Sequence, residues 1–187
     1  MVNISRRQMG PPPAEIKGTA LIVIDVQQRL APAIPDAQPV VARISALINK
    51  AKDAGLPILA TEQYSRGLGG TLPELRRLLA AAEVFEKIHF AAPRETAFAA
   101  AIAARGLRRT VVAGMEAHVC VLQTALALLA QGIAVTVVGD AVASRDDINR
   151  RVMLARLDRA GATIADTAAV LRAWPAAAPG APAPLSR

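Results

Sequence analysis

The segment TVVAGMEAHVCVLQTALALLAQG, from Thr110 to Gly132, decides the architecture. It opens with Thr110-Val111-Val112-Ala113, a short β-branched run that reads as a buried strand. Gly114 turns the chain. From about His118 an Ala/Leu-rich stretch has the composition of a helix, which Gly132 ends. Cys120, the only cysteine of the chain, falls in the first turn of that helix. The unpaired N–H groups and the positive dipole end there favour an anion, so a lowered thiol pKa is expected. A lone cysteine is also a good small buried hydrophobe. The rest of the chain has to separate the two readings.

Outward from this segment, strands and helices alternate. Thr19-Ala20-Leu21-Ile22-Val23-Ile24 is a continuous apolar run that ends in Asp25, as expected of a strand buried on both faces. Asp36 to Ala54 carries helical periodicity through Val40, Val41, Ile44, Leu47 and Ile48, and Gly55 closes it. Pro57 to Thr61 is a second strand, Glu62 to Gly70 a glycine-rich loop, and Leu72 to Ala82 a short helix. Val84 to Ile88 is a third strand, Glu95 to Ala104 a helix, and Ile133 to Val138 the strand after the central segment. Asp146 to Ala160 is a helix, Ala162 to Ala165 a sixth strand, and Asp166 or Thr167 caps a last helix to about Ala173. This order predicts a three-layer, doubly wound α/β domain with about six mostly parallel strands and helices on both faces. The expected division is an N-terminal arm over 1–17, one domain over 18–174, and a Pro/Ala-rich tail over 175–187.

Composition narrows the function classes. No apolar run approaches the roughly 18 residues of a bilayer span, and the opening MVNISRRQMG lacks a signal-peptide core, so a cytoplasmic location is expected. One cysteine excludes an intrachain disulfide. The net charge is +7, but Lys and Arg come singly or in pairs and aromatics are 3% of residues. That pattern reads as solvated arginine-rich faces rather than a nucleic-acid surface.

Ligands of doubly wound sheets bind outside the carboxyl ends of the strands. Three residues there form a usable set: Asp25 after the first strand, Lys87 at the end of the third, and Cys120 after the fourth. A thiol attacking a carbonyl carbon needs a base, which a carboxylate supplies. A neighbouring ammonium favours both the carboxylate and the thiolate, and backbone N–H groups at the turn can receive the oxyanion. Taken singly each has a dull alternative: a cap, a solvated strand edge, a packed thiol. A dinucleotide-binding reading lacks its fingerprint, because Asp25-Val26-Gln27-Gln28 follows the first strand and Leu72 stands where the third glycine belongs. None of the serines lies in Gly-x-Ser-x-Gly, which sets aside a serine hydrolase of that type.

These residues resemble the isochorismatase-like cysteine hydrolases over about residues 18–172. The resemblance rests on Leu21 to Gln27 for an Asp-x-Gln segment and Glu86-Lys87 with Phe90 for a lysine segment. Gly114 to Val121 forms a cysteine segment, followed by Gln123-Thr124-Ala125. It implies a catalytic triad of Asp25, Lys87 and Cys120. It also implies a cis peptide at Met115–Glu116 and an oxyanion hole from the N–H groups of Glu116 and Cys120. Thr61-Glu62-Gln63-Tyr64 with Gly67-Leu68-Gly69 looks like the subgroup whose substrates are poorly defined. Nicotinamidases carry an Asp-x-His metal cluster in that region, whereas the two histidines here, His89 and His118, lie elsewhere. No metal and no cofactor are therefore expected.

Gln63, Tyr64, Phe90 and His118 are candidate pocket residues, and Arg145 is a candidate partner for an anionic substrate. The expected activity is hydrolysis of a small amide-like C–N bond through a covalent acyl-enzyme. The alternatives are a vinyl-ether hydrolase of isochorismate type, or a non-catalytic or redox-responsive protein on the same fold. The expected partners are a small-molecule substrate and further copies of the chain in a homo-oligomer, with no membrane and no nucleic acid.

Overall fold

β1 (Thr19–Ile24) lies between β2 (Ile58–Gln63) and β4 (Arg109–Met115), buried along its whole length. Among the residues that the computed structural model describes, 15–35, 37–79 and 84–175, six strands make one sheet. The other strands are β3 (Val84–Lys87), β5 (Ala134–Ala143) and β6 (Thr163–Ala165). Their order is β3-β2-β1-β4-β5-β6, and every pairing is parallel. The chain steps outward from β1 to β3, returns across the sheet to β4, and steps outward again to β6. The reversal leaves a crevice between the ends of β1 and β4, where such sheets bind ligands. The expected arm and tail fall largely outside the described residues, as does the expected start of the first helix at Asp36.

Side chains alternate across a strand, so β1 feeds two cores. Leu21 and Val23 pack with α1 (Ala37–Asp53), α7 (Thr167–Ala173) and Trp174 on one face. Ala20, Ile22 and Ile24 pack with α4 (Thr96–Ala104), α5 (Leu122–Ala130) and α6 (Asp147–Arg159) on the other. In α1, Val40, Val41, Ile44, Leu47, Ile48 and Ala51 form the buried stripe that the periodicity predicts. Each such side chain fully removed from water contributes about 1.5–3 kcal/mol.

Three elements differ from the sequence expectation. The helix expected over Leu72–Ala82 is a single turn, α3 (Pro73–Arg76), with Leu75 and Leu79 buried beneath it, and residues 80–82 lie outside the described part. α2 (Ser65–Leu68) is another single turn, inside the expected loop. β5 continues to Ala143, past the expected stop at Val138. Gly139 and Asp140 look like a turn in sequence. In space, a register shift in β4 between Val112 and Gly114 lets Val142 and Ala143 pair with Gly114 and Met115.

Gly114 stands at that irregularity. Its φ is +129°, and a Cβ added there would stand 2.1 Å from the Ile24 carbonyl oxygen and 2.6 Å from the Ile24 nitrogen. Both obstacles are backbone of a central strand, so neither can move aside cheaply. Gly114→Ala is expected to cost more than about 3 kcal/mol. Urea unfolding followed by far-UV circular dichroism measures it, and an unchanged midpoint would contradict the steric account.

Candidate active site

β1 runs into Asp25, whose φ of +48° is left-handed, a conformation worth about 1–3 kcal/mol of strain for a non-glycine residue. The neighbouring strand holds it there. The Asp25 N–H donates to the Thr61 carbonyl at 3.1 Å, and Thr61 Oγ1 donates to Asp25 Oδ1 at 2.6 Å. The other carboxylate oxygen, Oδ2, meets Lys87 Nζ at 2.7 Å, and neither side chain is exposed. Removing one partner of such a buried pair strands the other charge, at about 3–5 kcal/mol.

The Lys87 ammonium is caged further. Nζ donates to Gln63 Oε1 at 2.6 Å and faces the carbonyls of His89 and Phe90 at 3.3 and 3.5 Å. Gln63 is held in turn: its Nε2 donates to Ile88 O at 2.9 Å, and its N–H donates to Gln27 Oε1 at 2.9 Å. The buried Gln27 completes the frame, donating from Nε2 to the carbonyls of Gln63 at 3.0 Å and Gly69 at 2.6 Å. Sequence reading proposed Gln63 as a pocket wall and left Gln27 without a task. Spacing carries no sign that the Gln27 side chain clasps the Gln63 backbone across 36 residues.

Cys120 sits in a π-helical turn, Ala117–Val121, and not in the first turn of an α-helix, which begins only at Leu122. Such turns recur at functional sites. The Met115–Glu116 peptide bond before it is cis. Thr124, one turn further on, accepts from the Ala92 N–H at 3.1 Å, so the helix that carries the thiol is tied to the loop that cages Lys87.

The expectation of a lowered thiol pKa is reversed. Burial pushes Cys120 up, the adjacent Asp25 charge and hydrogen bond push it further, and Lys87 only partly offsets them. The result is about 12, against an ordinary 9.0. In a dry site beside a carboxylate, a second anion is disfavoured more than one ammonium and a helix end favour it. The resting group is therefore a protonated thiol beside a carboxylate.

Asp25 and Cys120 open onto a cavity of about 410 Å³ whose apolar wall is Leu30, Ala33, Leu68, Phe90 and Val119. Gln63, Glu116, Arg29 and Arg145 complete it. Glu116 is buried, and Arg145 grips it with Nη2 at 2.9 Å and Nε at 3.2 Å, while the Arg145 N–H donates to it at 3.1 Å. Burial raises the Glu116 pKa, but the Arg145 bonds and charge outweigh it and hold the carboxyl below its usual range. Of the four candidate pocket residues, Gln63 and Phe90 line the cavity and Tyr64 and His118 do not. The Tyr64 ring lies against Gly67, and His118 Nδ1 pairs with Ser144 Oγ at 2.9 Å. Among the described residues no three His, Cys, Asp or Glu side chains converge as a metal site would need.

Comparison with known proteins gives a consistent picture. A family model described as the isochorismatase domain matches residues 19–169. The isochorismatase domain-containing protein 1 of Salmo salar is 36% identical over 153 residues, 82% of this chain and 54% of that protein. The chain thus spans about half the length of the first curated relatives it matches. The MAR1 ribonuclease of Caenorhabditis elegans superposes with a TM-score of 0.79 at 32% identity, covering 86% of this chain and 82% of that one. YcaC of Pseudomonas aeruginosa, solved with hexane-2,5-diol and covalent acrylamide, has a TM-score of 0.79 at 27% identity, covering 85% and 81%. YcaC of Escherichia coli, described as an octameric hydrolase of unknown specificity, also scores 0.79 at 27% identity, covering 87% and 82%.

The reversed thiol pKa has a measurable consequence. Below pH 9 the folded and unfolded chains both carry the thiol proton. Between about 9 and 12 only the folded chain keeps it, so its contribution to stability is lost as pH rises through that window. Because the chain has one cysteine, a ¹³Cβ chemical-shift titration reports Cys120 alone. The wild type is expected to show no thiol titration up to pH 10. Asp25→Asn removes the Asp25 charge and moves the midpoint down; an unmoved or higher midpoint would refute the assigned cause.

Proposed function

The chain belongs to the isochorismatase domain family, and on that premise we propose that it is a cysteine-dependent hydrolase of a small amide-like substrate. One observation carries the reading. A thiol and a buried carboxylate, which a caged ammonium pairs at 2.7 Å, line one mostly apolar cavity. The catalytic domain is taken as residues 18–174.

In the proposed reaction, Asp25 takes the Cys120 proton as sulfur attacks the carbonyl carbon, so no free thiolate need accumulate. The oxygen that becomes negative is received by the N–H groups of Glu116 and Cys120. The protonated Asp25 then donates to the departing amine as the C–N bond breaks, leaving a thioester. Water attacks that thioester, with Asp25 accepting its proton, and Cys120 recovers a proton as the acid leaves. Lys87 stays charged throughout. Its task is to keep the carboxylate in place and to offset negative charge while sulfur carries it.

A redox-sensing role fits less well. Sensor thiols are exposed and of low pKa, whereas Cys120 is buried and pushed up to about 12. We further propose a homo-oligomer, by likeness to the octameric YcaC, acting in the cytoplasm. No helix among the described residues is long and apolar enough to cross a membrane.

A panel of small amides tests the reading, with RNA as a second arm because the C. elegans neighbour is named a ribonuclease. Cys120→Ala is expected to abolish amide turnover, and Asp25→Asn to reduce kcat by about 10³-fold or more. Intact-mass spectrometry of the wild type under turnover should show an acyl adduct that Cys120→Ala lacks. Amide hydrolysis that survives Cys120→Ala would overturn the proposal. Light scattering of the native protein checks the assembly; a monomer at micromolar concentration would overturn that part.

A further inference from the structure

Asp25, Arg29, Glu116 and Arg145 are the charged side chains that line the cavity beside Cys120, and Lys87 lies buried behind Asp25. Asp25 and Lys87 are joined at 2.7 Å, and Glu116 and Arg145 at 2.9 Å. Arg29 remains. Among the described residues it makes no salt bridge, and its guanidinium spends one N–H on the Gly67 carbonyl at 3.0 Å. A guanidinium has five N–H donors in a planar fork that matches a carboxylate, so most of its capacity is left to a ligand.

Arg29 is also held in place before any ligand arrives. The Gln28 N–H donates to Gly70 O at 3.0 Å, the Arg29 N–H to Leu68 O at 2.9 Å, and the Gln27 side chain to Gly69 O at 2.6 Å. The backbone at Gln28 and Arg29 and the Gln27 side chain are thus stitched to the loop at 67–70, and the exposed guanidinium of Arg29 adds one bond to the Gly67 carbonyl. Arg29 and the thiol share this cavity with the apolar Leu30, Leu68 and Val119. An apolar body with an acceptor at one end and a reactive carbonyl at the other complements that layout.

Resting on the reading of Cys120 as nucleophile, we propose that Arg29 is an anion subsite and that the substrates are amide-like molecules bearing a carboxylate on a short apolar body. The net charge of the site then becomes neutral on binding, which favours entry of an anion over its neutral analogue. Arg145 does not take this role, because its fork is occupied by Glu116.

Two alkylating probes of nearly the same size separate the charge effect from all others. Iodoacetate and iodoacetamide both form a bond from carbon to Cys120 sulfur, expel iodide, and leave the thiol proton on Asp25 and then solvent. Rates are measured by intact mass at one pH and ionic strength, with Cys120→Ala defining background. In Arg29→Ala the iodoacetate-to-iodoacetamide rate ratio is expected to fall about tenfold or more, while iodoacetamide alone reacts as in the wild type. Arg29→Lys is expected to retain part of the ratio, and either variant serves if the other fails to fold. Equal ratios in wild type and Arg29→Ala would overturn the subsite.

If neither reagent modifies Cys120, the nucleophile reading fails, and thermal stabilisation decides the subsite separately. Benzoate should then raise the wild-type Tm more than benzamide does, and Arg29→Ala should abolish the difference. Equal shifts with the two ligands, or a benzoate preference that survives Arg29→Ala, would overturn it.

Discussion

The buried ion pair between Asp25 and Lys87 is the constraint around which the strand ends are arranged. The two residues leave β1 and β3, which β2 separates. With strands about 4.8 Å apart, the carboxylate and the Lys87 backbone stand roughly two strand spacings from each other. A lysine stem can cross that gap over the end of β2, and the chain supplies Thr61 and Gln63 there to meet both charges. Two charges removed from water are tolerable only when their remaining valences are satisfied. The carbonyls at 89 and 90 and the Gln63 side-chain oxygen serve that purpose for Lys87, and the Gln27 side chain holds the Gln63 backbone in place.

The pair also explains the state of the thiol. Dryness that strengthens the Asp25–Lys87 attraction equally penalises a second anion, so Cys120 keeps its proton. In the proposed reaction the thiol proton then has a defined acceptor in Asp25, and the reactive form of sulfur need exist only while a substrate carbonyl receives it. The same logic governs Glu116. Its burial would be unfavourable without Arg145, whose guanidinium lies mostly in solvent and closes one side of the cavity.

Charge in this protein is therefore local. The chain carries a net +7, yet the cavity owes its surplus to one residue, Arg29, after two internal pairs cancel. Surface arginines such as Arg150 and Arg151 pair with Asp147 along α6, the ordinary fate of helix-face charges.

Sequence alone determined the alternating β-α order, the parallel sheet and the three chemical residues at strand ends. Uninterrupted apolar runs such as Thr19–Ile24 admit little but strands covered on both faces. The reversed thiol pKa, the π-helical turn, the extension of β5 and the separation of Tyr64 and His118 from the cavity were not legible. Groups far apart in the chain decide three of these: Asp25 and Lys87 act on Cys120, Gly114 and Met115 pair with Val142 and Ala143, and Ser144 holds His118. Local pattern decides which segments are strands and helices, because propensity and periodicity act over a few residues. Only the tertiary structure decides the electrostatics of the site, because dryness and distance are properties of the assembled sheet.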